Sequence, residues 1–187
     1  MAEVRESGLI AGVYVVEPTL HGDQRGLFIE TYRREWIPGA REMIQSNRSN
    51  KQAGALVGLH YHLHQSDYWY APIGTIRVVL HDLREGGPTD GATECFDISG
   101  ENHHGVYIPP GVAHGFAAMT DAVLTYLVDG YYNPADELGV AWDDPTIAAD
   151  WGLDRIGADP VMSERDRSNP VRAELPVGRR PYWPMRT

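Results

Sequence analysis

Gly54-Ala55-Leu56-Val57-Gly58-Leu59-His60-Tyr61-His62-Leu63-His64-Gln65 places a histidine at every second position of its second half. An extended strand sends residues two apart to one face. The pattern therefore predicts His60, His62 and His64 on one side, with Leu59, Tyr61 and Leu63 on the other. A helix would scatter the three imidazoles around its circumference. Titratable rings aligned along one strand suit proton abstraction or metal ligation near neutral pH. The plainer alternative is a row of solvent-facing histidines on an ordinary strand.

On either side of this stretch the chain reads as more short strands. Leu9–Val16, Leu27–Tyr32, Tyr68–Tyr70, Thr75–Leu83, Thr93–Ile98, Gly105–Ile108, His114–Met119 and Val123–Val128 are rich in β-branched and aromatic residues. Met43–Asn47 reads as short and extended. Turns are marked by His21–Gly26, Pro38-Gly39, Glu85–Gly91, Asn133-Pro134 and Asp144-Pro145. In Thr75–Leu83, Ile76, Val78 and Leu80 alternate with Arg77, Val79 and His81, a pattern suited to a sheet packed on both faces. Arg33–Ile37 and Ile147–Trp151 are expected to form single helical turns. Many short strands at roughly 8–12-residue spacing, with no long amphipathic helix, point to an all-β sandwich or jelly roll.

The 187 residues suit one domain, and 42% hydrophobic with 22% charged residues is ordinary for a globular chain. The net charge of −10 argues against a general nucleic-acid binder, whose affinity comes from neutralising phosphates. Cys95 is the only cysteine, so no intrachain disulfide is possible and a reducing compartment is expected. The first residues show no signal peptide and no run approaches the ~20 apolar residues of a membrane span, so a cytoplasmic setting is expected. Residues 1–166 are read as the folded unit. The tail from Arg167 to Thr187 holds four prolines and five arginines against one glutamate. It should run extended, across its own subunit or a neighbour's, or remain disordered. Among sixteen basic residues, Lys51 is the only lysine.

Two motif readings compete for the histidines. Gly54, His60, His62, Asp67 and Gly74 keep the spacing of the first cupin motif, with aspartate where glutamate is usual. Pro109-Pro110-Gly111-Val112-Ala113-His114 resembles the second cupin motif. His60, His62, Asp67 and His114 would then offer a nitrogen-rich set for a divalent transition metal.

The second reading covers far more of the chain. Gly22–Glu30, Gln45-Ser46-Asn47, Gly58-Leu59-His60-Tyr61, Ile108–Phe116, Tyr126, Tyr131-Tyr132-Asn133-Pro134, Glu137–Pro145 and Met162-Ser163-Glu164-Arg165-Asp166 follow in order. From about Leu9 to Asp166 the chain resembles the dTDP-4-dehydrorhamnose 3,5-epimerase family. The resemblance implies a cupin-like jelly-roll barrel with a few short helical turns. It implies inversion of C3, C5 or both beside the C4 ketone of a nucleotide-linked 4-keto-6-deoxy sugar, most simply a dTDP-sugar, through an enolate and without a cofactor. It implies His60 as base, Asp166 as its carboxylate partner and Tyr126 as the acid on the far face. Arg25, Glu30, Gln45, Asn47, His114, Tyr132 and Glu137 fall on substrate-binding positions, with Tyr132 stacking near the nucleotide. Family members are dimers, and an exchanged N-terminal strand or arginine-rich tail would suit such an interface. A sugar-nucleotide-binding barrel without catalysis is a further alternative.

The departures are as informative. After the histidine strand the family usually carries Gln-Gly-Lys, whose lysine helps hold the charge on the ketone oxygen. Here the segment is shorter and Asp67 brings the opposite charge. The family's arginine two residues before Leu59, expected at the diphosphate, is Val57. Two cations are therefore missing, with His62, Arg77 or another group left to take over.

Overall fold

Short strands broken by glycine and proline fold back on one another as two facing antiparallel sheets. In the computed structural model, which describes residues 2–157 and 159–184, the strands run in chain order. They are β1 (Glu3–Glu6), β2 (Tyr14–Glu17), β3 (Leu20–Asp23), β4 (Gly26–Ile29), β5 (Gln45–Lys51), β6 (Leu56–Tyr61), β7 (Asp67–Ile73), β8 (Thr75–Asp82), β9 (Thr93–Ser99), β10 (Gly105–Ile108), β11 (Val112–Ala118), β12 (Ala122–Val128) and β13 (Leu138–Gly139). One sheet has the order β1-β2-β10-β7-β12-β5, the other β13-β6-β11-β8-β9, and β3-β4 stands apart as a hairpin. This is the jelly-roll arrangement expected of the cupin-like class.

Three apolar layers hold it together. Between the sheets lie Trp69, Ile76, Val78, Leu80, Ile98, Val106, Phe116 and Leu124. Behind the five-stranded sheet, Leu59, Tyr61, Val79, Ala113, Val140, Ile147 and Trp151 pack under the C-terminal segments. Behind the six-stranded sheet, Val16, Tyr68, Tyr70 and Tyr107 pack under Ile37 and Ala40. Strand β8 feeds two of these layers, with Ile76, Val78 and Leu80 on one face and Val79 on the other. That matches the two-sided alternation in its sequence.

Local chemistry moved several boundaries. Leu9–Val16 is not one strand: Ser7 Oγ accepts the amides of Leu9 and Ile10, pinning a turn, and β2 begins only at Tyr14. The expected strand Leu27–Tyr32 ends at Ile29. The helical turn expected over Ile147–Trp151 lies instead at α1 (Leu153–Ile156), entered through left-handed Gly152. The single turn near Arg33 is a 3-10 turn, Arg34–Trp36.

One close approach shapes the wall that carries His60. The β6–β11 ladder slips register between His114 and Phe116. There the two backbones meet at paired glycines: a Cβ on Gly58 would lie 2.6 Å from Gly115 Cα, and one on Gly115 would lie 2.6 Å from the Val57 oxygen. Only glycine permits this contact, and the irregularity re-aims side chains as bulges do. Val57 and His60, three residues apart, consequently face the same interior.

The described part of the tail lies over its own barrel. Leu175 is buried, Tyr61 donates its hydroxyl to the Arg179 carbonyl at 2.8 Å, and Tyr182 bridges Glu85. Met185–Thr187 lie outside the described residues. Arg172 donates its amide to Asp144 at 2.6 Å and a guanidinium hydrogen to His81 Nε2 at 3.1 Å.

His81 is fully buried, and burial, with the Arg172 guanidinium beside it, pushes its imidazole down to about 4. The neighbouring carboxylates of Asp82, Asp144 and Asp90 pull the other way without prevailing. The unfolded chain takes up this proton near the ordinary value of about 6.5, whereas the folded chain resists it until about pH 4. Stability from this site is thus complete above about pH 6.5 and falls as pH drops toward 4, by on the order of 2–3 kcal/mol. Urea unfolding at pH 7.5 and pH 4.5 should show that loss, and His81→Gln should make the decline shallower.

Candidate active site

Between the sheets lies a cavity of about 250 Å³. That is room for a small polar ring, and below the ~300–1,000 Å³ typical of pockets for drug-sized ligands. Strand β6 contributes Val57 and His60, and β11 contributes His114, Gly115 and Phe116. From the facing sheet come Ser49 and Lys51 of β5, Asp67 and Trp69 of β7, and Leu124 and Tyr126 of β12. His62, Gln65 and Glu137 complete the lining from loops.

His60 does not stand alone. Its Nε2 lies 2.6 Å from Asp166 Oδ1, a contact spanning 106 residues of sequence. Asp166 sits in the one-turn helix α2 (Glu164–Arg167), and its amide is capped by Ser163 Oγ at 3.1 Å. Burial pushes the Asp166 carboxyl up, but the His60 hydrogen bond, the His60 charge and the Ser163 bond together hold it below the usual carboxylate value. It is therefore ionised at neutral pH, ready to orient an imidazole and to balance its protonated form.

Across the cavity stands Tyr126. It pairs with Trp69 and Asn47 in the six-stranded sheet, opposite the sheet that carries His60. Burial raises the phenol above its ordinary value, and the Asp67 and Glu137 carboxylates add to this. The hydroxyl is therefore protonated throughout the neutral range.

A third group gathers beside them. His62, Asp67 and His114 are all buried, with ligating atoms within 4.8 Å of one another. His62 Nδ1 donates to the Asp136 carbonyl at 2.8 Å and His114 Nδ1 to the Val112 carbonyl at 3.0 Å. Since a carbonyl can only accept, both rings carry a hydrogen on Nδ1. Burial holds His114 below its ordinary value, against the pull of Asp67, so that ring is neutral. Asp67 accepts from Trp69 Nε1 at 3.0 Å and from Gln65 Nε2 at 2.9 Å.

These donors suit a borderline divalent ion, but the set differs from the four-residue group expected. His60 is turned to Asp166 and is not part of the cluster. His62 Nε2 and Asp67 Oδ1 are 3.9 Å apart, wider than the roughly 3.3 Å that two ligands ~2.0 Å from a tetrahedral ion would keep.

The remaining expected residues divide into two groups. His114 and Glu137 line the cavity, while Gln45, Asn47 and Tyr132 line a groove of about 240 Å³ that shares Gln65, Tyr126 and Glu137 with it. Gln45 Nε2 donates to Asn47 Oδ1 at 3.0 Å, and Gln45 Oε1 accepts the Tyr132 amide at 3.3 Å. Arg25 and Glu30 lie elsewhere. Arg25 is exposed at the tip of the β3–β4 hairpin and pairs with Asp23, and Glu30 pairs with Arg33 at 2.5 Å.

The third histidine is also misplaced by strand reasoning. β6 ends at Tyr61, because the Asp136 carboxylate accepts the amides of Leu63 and His64 at 2.7 and 3.0 Å and turns the chain. His64 is exposed and does not line the cavity. Arg77, considered for the missing cation, is held by Asp97 and Asp150 outside the cavity. Ser49 and Lys51 were not anticipated as site residues. The signal was available: Gln45, Asn47, Ser49 and Lys51 alternate along one face of β5.

Fold and cavity together define the class: a cupin-like jelly-roll barrel that brackets a small interior space with an imidazole–carboxylate pair on one side and a phenol on the other. Comparison with known proteins narrows it. The family model for dTDP-4-dehydrorhamnose 3,5-epimerase matches residues 8–174, and the chain belongs to that family, a family of isomerases. It is 35% identical over 186 residues to the dTDP-4-dehydrorhamnose 3,5-epimerase of Mycobacterium tuberculosis, covering 93% of this chain and 90% of the relative. It is 36% identical over 160 residues to that of Neisseria gonorrhoeae, covering 82% of this chain and about half (48%) of the longer relative. A Legionella pneumophila dTDP-6-deoxy-D-glucose-3,5-epimerase solved in complex with dTDP-4-keto-L-rhamnose superposes with a TM-score of 0.91 at 29% identity, over 98% of this chain and 99% of that one. A 3'-monoepimerase from Streptomyces bikiniensis, solved with dTDP-quinovose, gives 0.84 at 32% identity over 92% and 90%.

The widely spaced ligand atoms and the tied Asp67 carboxylate predict that His62, Asp67 and His114 act as a polar floor. Untagged protein dialysed against EDTA should keep its thermal midpoint and its activity. Stoichiometric zinc in the purified protein, with activity lost on chelation, would reassign the three as ligands.

Proposed function

We propose that this protein inverts one or both carbons flanking the C4 ketone of a nucleotide-linked 4-keto-6-deoxy sugar. The reading is carried by the 2.6 Å His60–Asp166 pair on one wall and the Tyr126 phenol on the other. The ketone acidifies the neighbouring C–H. His60 takes that proton, the C–H electron pair moves into the enolate, and the ketone oxygen gains the negative charge. Asp166 stabilises the imidazolium that results. Tyr126 then delivers its hydroxyl proton to the opposite face of the same carbon, the ketone reforms, and the centre is inverted. Proton exchange with solvent restores both groups. The ligands named for the Legionella and Streptomyces relatives, a dTDP-keto sugar and a dTDP-sugar, support a dTDP-sugar as substrate. The 3'-monoepimerase among them keeps single-centre inversion within reach of this architecture. His114, Glu137, Gln45, Asn47 and Tyr132 would contact the sugar nucleotide along the cavity and groove.

A homodimer completes the site. The β3–β4 hairpin exposes Leu20, Leu27 and Phe28, an apolar surface that a lone subunit leaves in water. Docked on a second subunit, that hairpin would carry Arg25 and Glu30 toward the neighbour's nucleotide. Among the described residues no helix is long and apolar enough to cross a membrane. A nucleotide-sugar substrate and the single half-buried thiol of Cys95 support work in the cytoplasm.

Incubation with dTDP-4-keto-6-deoxyglucose in D₂O tests the chemistry, because each inverted centre acquires solvent deuterium that NMR can assign. His60→Ala should abolish exchange, and exchange that survives it would defeat the base assignment. Tyr126→Phe should slow inversion by about 10²–10⁴-fold, the usual worth of a general acid, while leaving some exchange from His60. Asp166→Asn should lower kcat with little change in KM, since it removes charge from behind the base and leaves the cavity lining intact.

A further inference from the structure

The substrate proposed above carries a diphosphate, yet the arginine expected to meet it is Val57 and the lysine expected beside the ketone is replaced by Asp67. Among the residues lining the cavity there is one Lys or Arg, and it is Lys51, the single lysine of the chain. Other basic groups around the barrel are engaged. Arg77 is held by Asp97 and Asp150, Arg84 by Asp82, Arg41 by Asp129 and Arg172 by Asp90. Lys51 pairs with no carboxylate among the described residues.

Its position follows from strand geometry. Residues two apart on β5 share a face, so Gln45, Asn47, Ser49 and Lys51 form a row that passes from the groove into the cavity. Within the sheet, Asn47 is opposite Tyr126, Ser49 opposite Leu124 and Lys51 opposite Ala122. In the facing sheet, His60 is opposite His114 and Val57 opposite Phe116. Strand β5 ends at Lys51 and the chain turns directly into β6 at Leu56, so Lys51 and Val57 line the same part of the cavity from opposite sheets. Asp67, His62 and Glu137 lie toward the other end. The cavity is electrically lopsided, with its cation at the Val57 end and its carboxylates at the far end.

We propose that Lys51 binds the diphosphate of the substrate, supplying from the opposite sheet the charge absent at position 57. This deepens the epimerase reading and rests on it. Val57 presents only an apolar surface, whereas the ammonium is a compact charge with three donors on a flexible stem that can follow a phosphate oxygen. Because the diphosphate is remote from the reacting carbon, its contact is equally strong in ground and transition states. Its loss should then appear in KM and not in kcat.

The test is steady-state kinetics with dTDP-4-keto-6-deoxyglucose, joined to calorimetric binding of dTDP. Lys51→Met should raise KM and weaken dTDP binding by tenfold or more, with kcat within threefold of wild type. Lys51→Arg should retain most of the affinity. The double variant Lys51→Ser with Val57→Arg should recover it by returning the cation to the other sheet. A Lys51→Met protein with unchanged KM and dTDP affinity overturns the assignment. A fall in kcat at constant KM overturns it too, and places the ammonium at the ketone oxygen instead. A wild-type protein that neither binds dTDP nor exchanges deuterium into the sugar is a different result: it defeats the epimerase reading and takes this assignment with it.

Discussion

The hydrogen bond between His60 and Asp166 joins the wall of the barrel to a segment 106 residues further along the chain. His60 belongs to the wall of the barrel, and Asp166 comes from a one-turn helix laid over its outside. A buried carboxylate without a partner is costly, so the pair holds the C-terminal segment in one place as much as it orients the imidazole. The tail then follows the same surface, where Arg172 reaches both Asp144 and His81. The setting of the His60 imidazole and the closure of the fold are in this sense one constraint.

The facing glycines at 58 and 115 are the second half of that constraint. A regular β6–β11 ladder would send Val57 and His60 to opposite faces. The slip in register, possible only where the backbones touch without side chains, turns both inward. The wall that carries His60 thus depends on a local departure from ideal pairing. Tyr126 needs no such device, because ordinary alternation along β12 already directs it to the interior opposite His60.

The cavity also shows how a scaffold of this family can hold an imidazole–carboxylate pair opposite a phenol while its charges are arranged differently. His62 and Asp67 make one end polar and partly anionic, with Gln65 Nε2 and Trp69 Nε1 both donating to the Asp67 carboxylate. The cation sits at the other end, on a strand from the opposite sheet. A negative charge beside His114 would meet a neutral imidazole, a weaker stabiliser than an ammonium but one with less desolvation cost.

Much of this was legible in the chain before folding. Strand periodicity, turn residues and the absence of long amphipathic segments determined the all-β class, since period two and hydrophobic burial are local properties. The ordered motifs determined the family and nominated His60, Tyr126 and Asp166. Other features required the folded chain. Nothing local in Leu63 and His64 reveals that Asp136, more than seventy residues away, will end their strand. Arg25 and Glu30 sit on family positions but outside this subunit's cavity. Lys51 was visible as the only lysine, yet its place in one cavity with Val57 depends on which two sheets face each other. Sequence patterns report which face a residue takes within its own strand; which faces then look at one another is decided by long-range packing.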